Sequence, residues 1–351
     1  MLCCLYAMES RCILLDEALA NIDETAAREL VGQLKALRAR GLTVIAIDHR
    51  LDYWLDAADE IIVLGEGAKV LARGITRENL EEHRELFMRE GLYFPEEVRP
   101  RAPMENEPAP AVELRAVSIP RQIAKDRWGR KRAASWLLTE ADAAFPTGRM
   151  TAVIGPSGCG KTTTFLSILK QHPYEGCIRV QGRDLKTIRE KELFAQIGMV
   201  FQNPGNQFIT QKVEEEVLSG IRLWDKGLTE QQSQQKAEQL LADYGLERYH
   251  RFSPYMLSQG QQRRLAVLTV LTGRQKLLIL DEPTYGQDRR ATEAIMARLR
   301  RKADEEGLTV IFITHDLALA ACWADKIYRV EKQKLVETDP SQLIATKGAA
   351  P

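Results

Sequence analysis

Two periodicities alternate along this chain. Short apolar runs at 13–16 (ILLD), 42–47 (LTVIAI) and 60–64 (EIIVL) read as strands, and 24–39 carries apolar positions at helical spacing. Strand and helix in alternation predict an α/β arrangement on a parallel sheet, with 13–16 buried within it. The pattern breaks at a stretch with prolines at 95, 100, 103, 108 and 110. Proline removes backbone donors and favours extended chain, so a linker is expected there. Beyond it, 112–117 (VELRAV) alternates like an edge strand, and 121–135 is a basic insertion expected to form a solvated hairpin. The runs 150–154 (MTAVI), 277–280 (LLIL) and 309–313 (TVIFI) then read as buried strands, and an apolar-periodic helix begins at 163.

The early pattern recurs late. LLDE at 14–17 returns as ILDE at 279–282, GLTVI at 41–45 as 307–311, and Ala58-Asp59 as Ala324-Asp325. The offsets agree: 281 − 16 = 265, 288 − 23 = 265 and 315 − 49 = 266. Two copies of one domain are expected, the first incomplete, since the offset would place its counterpart of Lys161 at 161 − 265 = −104. Glu17, Asp23 and His49 all persist in the first copy, which points to truncation more than decay.

The strand at 150–154 runs into Gly155, Pro156, Ser157, Gly158, Cys159, Gly160, Lys161 and Thr162, followed by Thr163. This is a full match to the phosphate-binding loop pattern, with the strand and helix flanks it requires. Its glycines let successive N–H groups point at phosphate oxygens. Lys161 is expected to reach the β and γ phosphates and Thr162 to ligate Mg²⁺. Downstream, Gln202 stands at a strand end, within reach of Mg²⁺ and an attacking water. Ser258 and Gly260 open a helix as phosphate ligands. Asp281 and Glu282 leave the carboxyl end of an apolar strand, where ligands bind in open α/β sheets. Asp281 would hold Mg²⁺, Glu282 would deprotonate the water, and His315 would hydrogen-bond the γ-phosphate.

Composition narrows the field. Lys+Arg and Asp+Glu are both 49, so no bulk positive charge calls for nucleic acid, and none is expected as a partner. Six cysteines without a CxxC pair fit free thiols in a reducing compartment. No apolar run approaches the roughly 18 residues of a spanning helix, so a cytoplasmic protein is expected.

The set 155–162, Gln202, LSQGQ (257–261), LLILDEP (277–283), Asp288 and His315 resembles the ATP-binding cassette (ABC) ATPases. The resemblance covers about 112–340, with 14–74 resembling the same family. It implies an α/β P-loop fold with a helical signature subdomain, preceded by the C-terminal part of a second copy. The implied domains are 1–92, a linker at 93–111, and 112–351. QNPGNQF (202–208) and DEPTYGQD (281–288) resemble the energy-coupling factor (ECF) type, which implies uptake of vitamins or metal ions.

The implied activity is Mg-ATP hydrolysis, driving a separate integral membrane subunit from the inner face of the membrane. The implied second partner is another cassette domain, from a second chain or a separately encoded half. Two departures stand out. Gln259 replaces the usual signature glycine, and no aromatic residue follows the first strand to stack adenine. Trp128 is the substitute, either stacking the base or packing the hairpin. A soluble twin-cassette ATPase acting on ribosome or DNA, and a non-catalytic fragment, are the alternatives.

Overall fold

The computed structural model describes residues 11–19, 24–48, 51–94, 99–102, 104, 106–125 and 131–343. The chain divides into two compact units: Met1–Glu97 with Gly286–Ala294, and Val98–Tyr285 with Ile295–Pro351.

In the first unit β1 (Cys12–Asp16) leads through α1 (Glu24–Arg38) to β2 (Thr43–Ile47), which pairs parallel with β1. Alternate residues of β1 point to opposite faces. Ile13 and Leu15 turn toward Ala27, Val31 and Leu34 of α1 and toward Trp54, forming one small core. The other face is open, with Leu14 74%, Ile45 52% and Ile47 59% exposed. The buried strand expected at 13–16 is therefore buried on one face only. β3 (Ile61–Leu64) pairs antiparallel with β4 (Val70–Ile75), where continuation of a parallel sheet was expected. With α2 (Arg84–Glu90) they enclose a second core of Val63, Ile75, Leu80, Phe87 and Phe94.

The second unit opens with the long hairpin β5 (Pro110–Lys125) and β6 (Lys131–Pro146), then β7 (Met150–Ile154), α3 (Lys161–Ile168), β8 (Glu175–Val180) and β9 (Arg183–Asp184). α4 (Glu190–Gln196) and β10 (Ile197–Val200) follow, then the helices α5 (Val213–Trp224), α6 (Glu230–Asp243) and α7 (Gln259–Leu271). β11 (Leu277–Asp281), α8 (Arg289–Glu306) from Ile295 onward, β12 (Thr309–Ile313), α9 (Leu317–Trp323), β13 (Lys326–Glu331) and β14 (Lys334–Glu337) complete it. The main sheet has the order β10-β11-β12-β7-β13-β14 and is parallel except for β14. β7, β11 and β12 are buried at every residue, as strands covered on both faces must be.

One face of this sheet packs on the helices, through residues such as Val217, Leu241, Leu265 and Leu299. The other packs on α3 and on a second, antiparallel sheet of order β6-β5-β8-β9. The stretch 112–117, expected at an edge, lies in β5 between β6 and β8. Its alternation marks one buried face of an antiparallel sheet, and Val112, Leu114 and Val117 are all buried. Of the stretch 121–135, residues 121–125 lie in β5 and 131–135 in β6. The described part of the proline-rich stretch is pinned: Arg101 Nε donates to Asp325 Oδ1 at 2.7 Å, and Lys326 Nζ to Glu107 Oε1 at 2.7 Å.

Candidate functional site

β7 ends in a loop whose Gly155, Gly158 and Gly160 have φ of +148°, +74° and +108°. Glycine reaches this region without steric cost. A Cβ on Gly160 would also meet the Leu137 Cβ at 2.8 Å, so packing admits only glycine there. The loop feeds the N-terminus of α3, where unpaired N–H groups and the helix dipole favour an anion.

Lys161 is buried, and its Nζ donates to the carbonyls of Gly155 at 2.7 Å and Pro156 at 3.0 Å. Thr162 Oγ1 donates to Asp281 Oδ2 at 2.6 Å, joining α3 to the end of β11. Burial pushes the Asp281 carboxyl up, against the Thr162 hydrogen bond and the charges of Arg263 and Lys161.

Glu282 follows with φ +53°, and its N–H donates to Ile313 O at 3.1 Å. Glu282 as a whole is 7% exposed. Burial, then the Asp281 charge, pushes its carboxyl up to about 8, against Lys161, His315 and Arg263. Glu282 Oε1 is buried without an aligned hydrogen-bond donor, although His315 Nε2 stands 3.2 Å away. A buried acceptor in this condition is costly unless a further donor arrives. His315 is placed by the turn after β12, where Asp316 Oδ1 caps α9 through the N–H groups of Ala318 and Leu319 at 3.0 and 3.1 Å.

Lys161, Thr162, Asp281, Glu282 and His315 are thus brought together. Gln202 is exposed just beyond β10, and its carbonyl accepts from Arg263. Ser258 caps α7 in a reciprocal capping box with Gln261, and Gly260 sits in the first turn beside an exposed Gln259. Asp288 Oδ1 accepts from Ala291 N–H at 2.7 Å, at the start of α8. Trp128, Asp23 and His49 lie outside the described residues.

The residues present fit a magnesium nucleotide. The glycine turns leave the loop backbone uncovered, the orphaned Glu282 oxygen awaits a donor, and Thr162 and Asp281 already meet. No group of three or more His, Cys, Asp or Glu forms a cation cage among the described residues. Mg²⁺ needs none, because it binds through one or two carboxylates plus substrate phosphates. Sequence reasoning missed Arg263, whose guanidinium is buried behind the site. Its one signal was the basic pair Arg263-Arg264 leading into the apolar run 265–268 of α7.

A family model described as ABC transporter matches residues 138–285. With the relatives below, this places the chain in the ABC transporter ATP-binding protein family, and its α/β cassette fold is that of the family. It is 33% identical over 195 residues to the energy-coupling factor transporter ATP-binding protein EcfA of Methanococcus maripaludis, covering 54% of this chain and 68% of that protein. It is 32% identical over 364 residues to YkoD of Bacillus subtilis, named as an HMP/thiamine import ATP-binding protein, covering 98% of this chain. The chain spans 65% of the length of that relative. Among solved structures it resembles cbiO1 of Clostridium perfringens, titled part of the ABC transporter complex cbiONQ, at 26% identity and a TM-score of 0.55. That match covers 68% of this chain and 92% of the other. A dimeric ATP-binding cassette bound to ADP and Pi shares the fold at 24% identity and a TM-score of 0.57, covering 65% of this chain and 98% of its own.

Proposed function

We propose that this chain is the ATP-binding, ATP-hydrolysing part of an uptake transporter of the ECF type, acting at the inner face of the membrane on a separate integral membrane subunit. No described helix is long and apolar enough to cross a membrane. The name of YkoD, an HMP/thiamine import ATP-binding protein, supports import, and that of EcfA supports the energy-coupling factor type.

The observation that carries hydrolysis is Glu282, buried with an unsatisfied oxygen beside the Thr162–Asp281 pair and His315. In this reading the loop N–H groups and Lys161 bind the β and γ phosphates. Thr162, Gln202 and Asp281 hold Mg²⁺, which neutralises phosphate charge when bound. In its ionised form Glu282 takes the proton of the attacking water, and His315 hydrogen-bonds the γ-phosphate. Ser258 and Gly260 present a helix N-terminus to the nucleotide of a second cassette domain.

Residues 1–92 are assigned to the C-terminal half of the same module, because Glu17 N–H donates to Ile47 O at 2.9 Å just as Glu282 N–H does to Ile313 O. The test is phosphate release by the full chain with Mg-ATP over a range of chain concentrations. Release that rises faster than linearly is expected, since paired cassettes complete each other's site. No release by the chain at any concentration, alone or with its membrane subunit, would refute the reading.

A further inference from the structure

The largest fully buried side chain among the described residues is an arginine. Arg263 is 1% exposed, on the second turn of α7, the helix that begins at the Ser258 cap. Its Nη1 donates to Phe201 O at 2.7 Å and to Asp281 O at 3.2 Å, and its Nη2 donates to Gln202 O. The guanidinium also lies 5.9 Å from the centre of the Tyr285 ring.

These three carbonyls stand where the β10–β11 ladder ends, at Val200 opposite Leu280. Strand pairing no longer supplies them with donors. A planar guanidinium with several donors in a fixed fork can hold all three at once, whereas a lysine offers a flexible point charge. Burying a cation costs heavily, and packing alone would be met as well by an apolar residue of similar volume. A cation retained here fixes something that packing would leave loose.

Resting on the nucleotide reading above, we propose that Arg263 is a positioning residue. It ties the segment carrying Gln202 and the strand end carrying Asp281 and Glu282 to the helix that presents Ser258, so that a displacement of this helix reaches both together. Phosphate contact at the N-terminus of α7 is thereby felt, one turn further along the helix, by the water-positioning and proton-accepting groups. The burial that disfavours the Arg263 charge is countered by Glu282 and Asp281, the groups it serves.

The test uses the full chain with Arg263→Lys and Arg263→Met. Both should fold, and both should bind Mg-ATP within about twofold of the parent, since the phosphate loop does not touch Arg263. kcat should fall about 10²-fold with KM little changed, because misplacement harms chemistry more than binding. In a Gln202→Ala background the further loss from Arg263→Lys should be smaller, because the part that runs through the Gln202 side chain is already gone. Hydrogen exchange gives a readout independent of turnover: peptides over 201–207 and 281–285 should exchange faster in both variants while those over 150–154 do not.

Unchanged kcat in Arg263→Met, losses that multiply in the double variant, or exchange that is unchanged or raised uniformly would each overturn the proposal. If the parent itself releases no phosphate, the functional reading fails instead, and the exchange measurement still decides the role of Arg263.

Discussion

In both units a parallel strand pair ends in Asp-Glu, and in both the glutamate turns into the left-handed region, with φ of +45° at Glu17 and +53° at Glu282. The ion pairs match as well. Arg38 of α1 meets Asp59 at 2.8 Å, and Arg300 of α8 meets Asp325 at 2.6 Å. What differs is the surroundings. Leu14, Ile45 and Ile47 are exposed, whereas their counterparts Ile279, Ile311 and Ile313 are 0–1% exposed, packed with Val117, Phe145 and Phe165. In the second unit β7 stands between β12 and β13. In the first, the described strands form two separate two-stranded sheets. The same local sequence gives the same backbone in both places, and a layer contributed from far along the chain turns one copy into a buried site.

That contrast can be broken at four points. The largest effect should be on turnover. Glu282→Gln is expected to lower phosphate release by about 10² to 10⁴-fold with nucleotide binding retained, while Glu17→Gln leaves it unchanged. Equal losses in the two variants would mean that burial does not select the base.

Next come the ion pairs. Arg300→Ala leaves the buried Asp325 with only Arg101 and the Met150 N–H and should cost up to about 3–5 kcal/mol in urea unfolding, against about 0.2–1 kcal/mol for Arg38→Ala at its exposed pair. Burial alone would push Asp325 up, but Arg300, the Met150 N–H and Arg101 hold it below the ordinary carboxylate range. Ile311→Ala removes a side chain buried on both sides of the sheet, so a loss of about 2–5 kcal/mol is expected. Ile45→Ala, half exposed, should cost clearly less in the same assay.

The remaining test concerns pH. The Glu282 carboxyl is raised from 4.5 to about 8, so the folded chain holds a proton that the unfolded chain has released between those values. The stability this adds is complete below 4.5 and is lost as pH rises through 8. Glu282→Gln removes the titration, so the melting temperature of the variant should gain on the parent between pH 5 and pH 9, by about 2–4 °C for each kcal/mol. A variant that loses ground to the parent toward high pH would contradict the burial argument.

Much of this was readable from the chain. The phosphate loop is written in glycines whose positions tolerate little else, and 309–313 forms a strand over the residues its apolar run marked. The Asp-Glu pair was legible because an apolar strand must end where its ladder ends. Burial was not legible. ILLD at 13–16 and LLIL at 277–280 look alike, yet only long-range neighbours decide whether both faces are covered. Nor was the place of β5, since alternation reports a half-buried face and not how many strands flank it. Arg263 escaped because a cation inside a core serves carbonyl groups that local sequence does not mark.

The Lys161 ammonium has three donors: the carbonyls of Gly155 and Pro156 take two of them, and Cys159 Sγ lies 4.0 Å from the nitrogen. One side chain therefore acts as both clasp and contact, drawing the two sides of the loop together with only a weak sulfur contact to exchange for whatever the loop encloses. Truncating it to alanine loosens the shape of the loop as well as removing a charge. Nucleotide titration of Lys161→Ala should accordingly show weakened binding even for ligands whose γ-phosphate is missing.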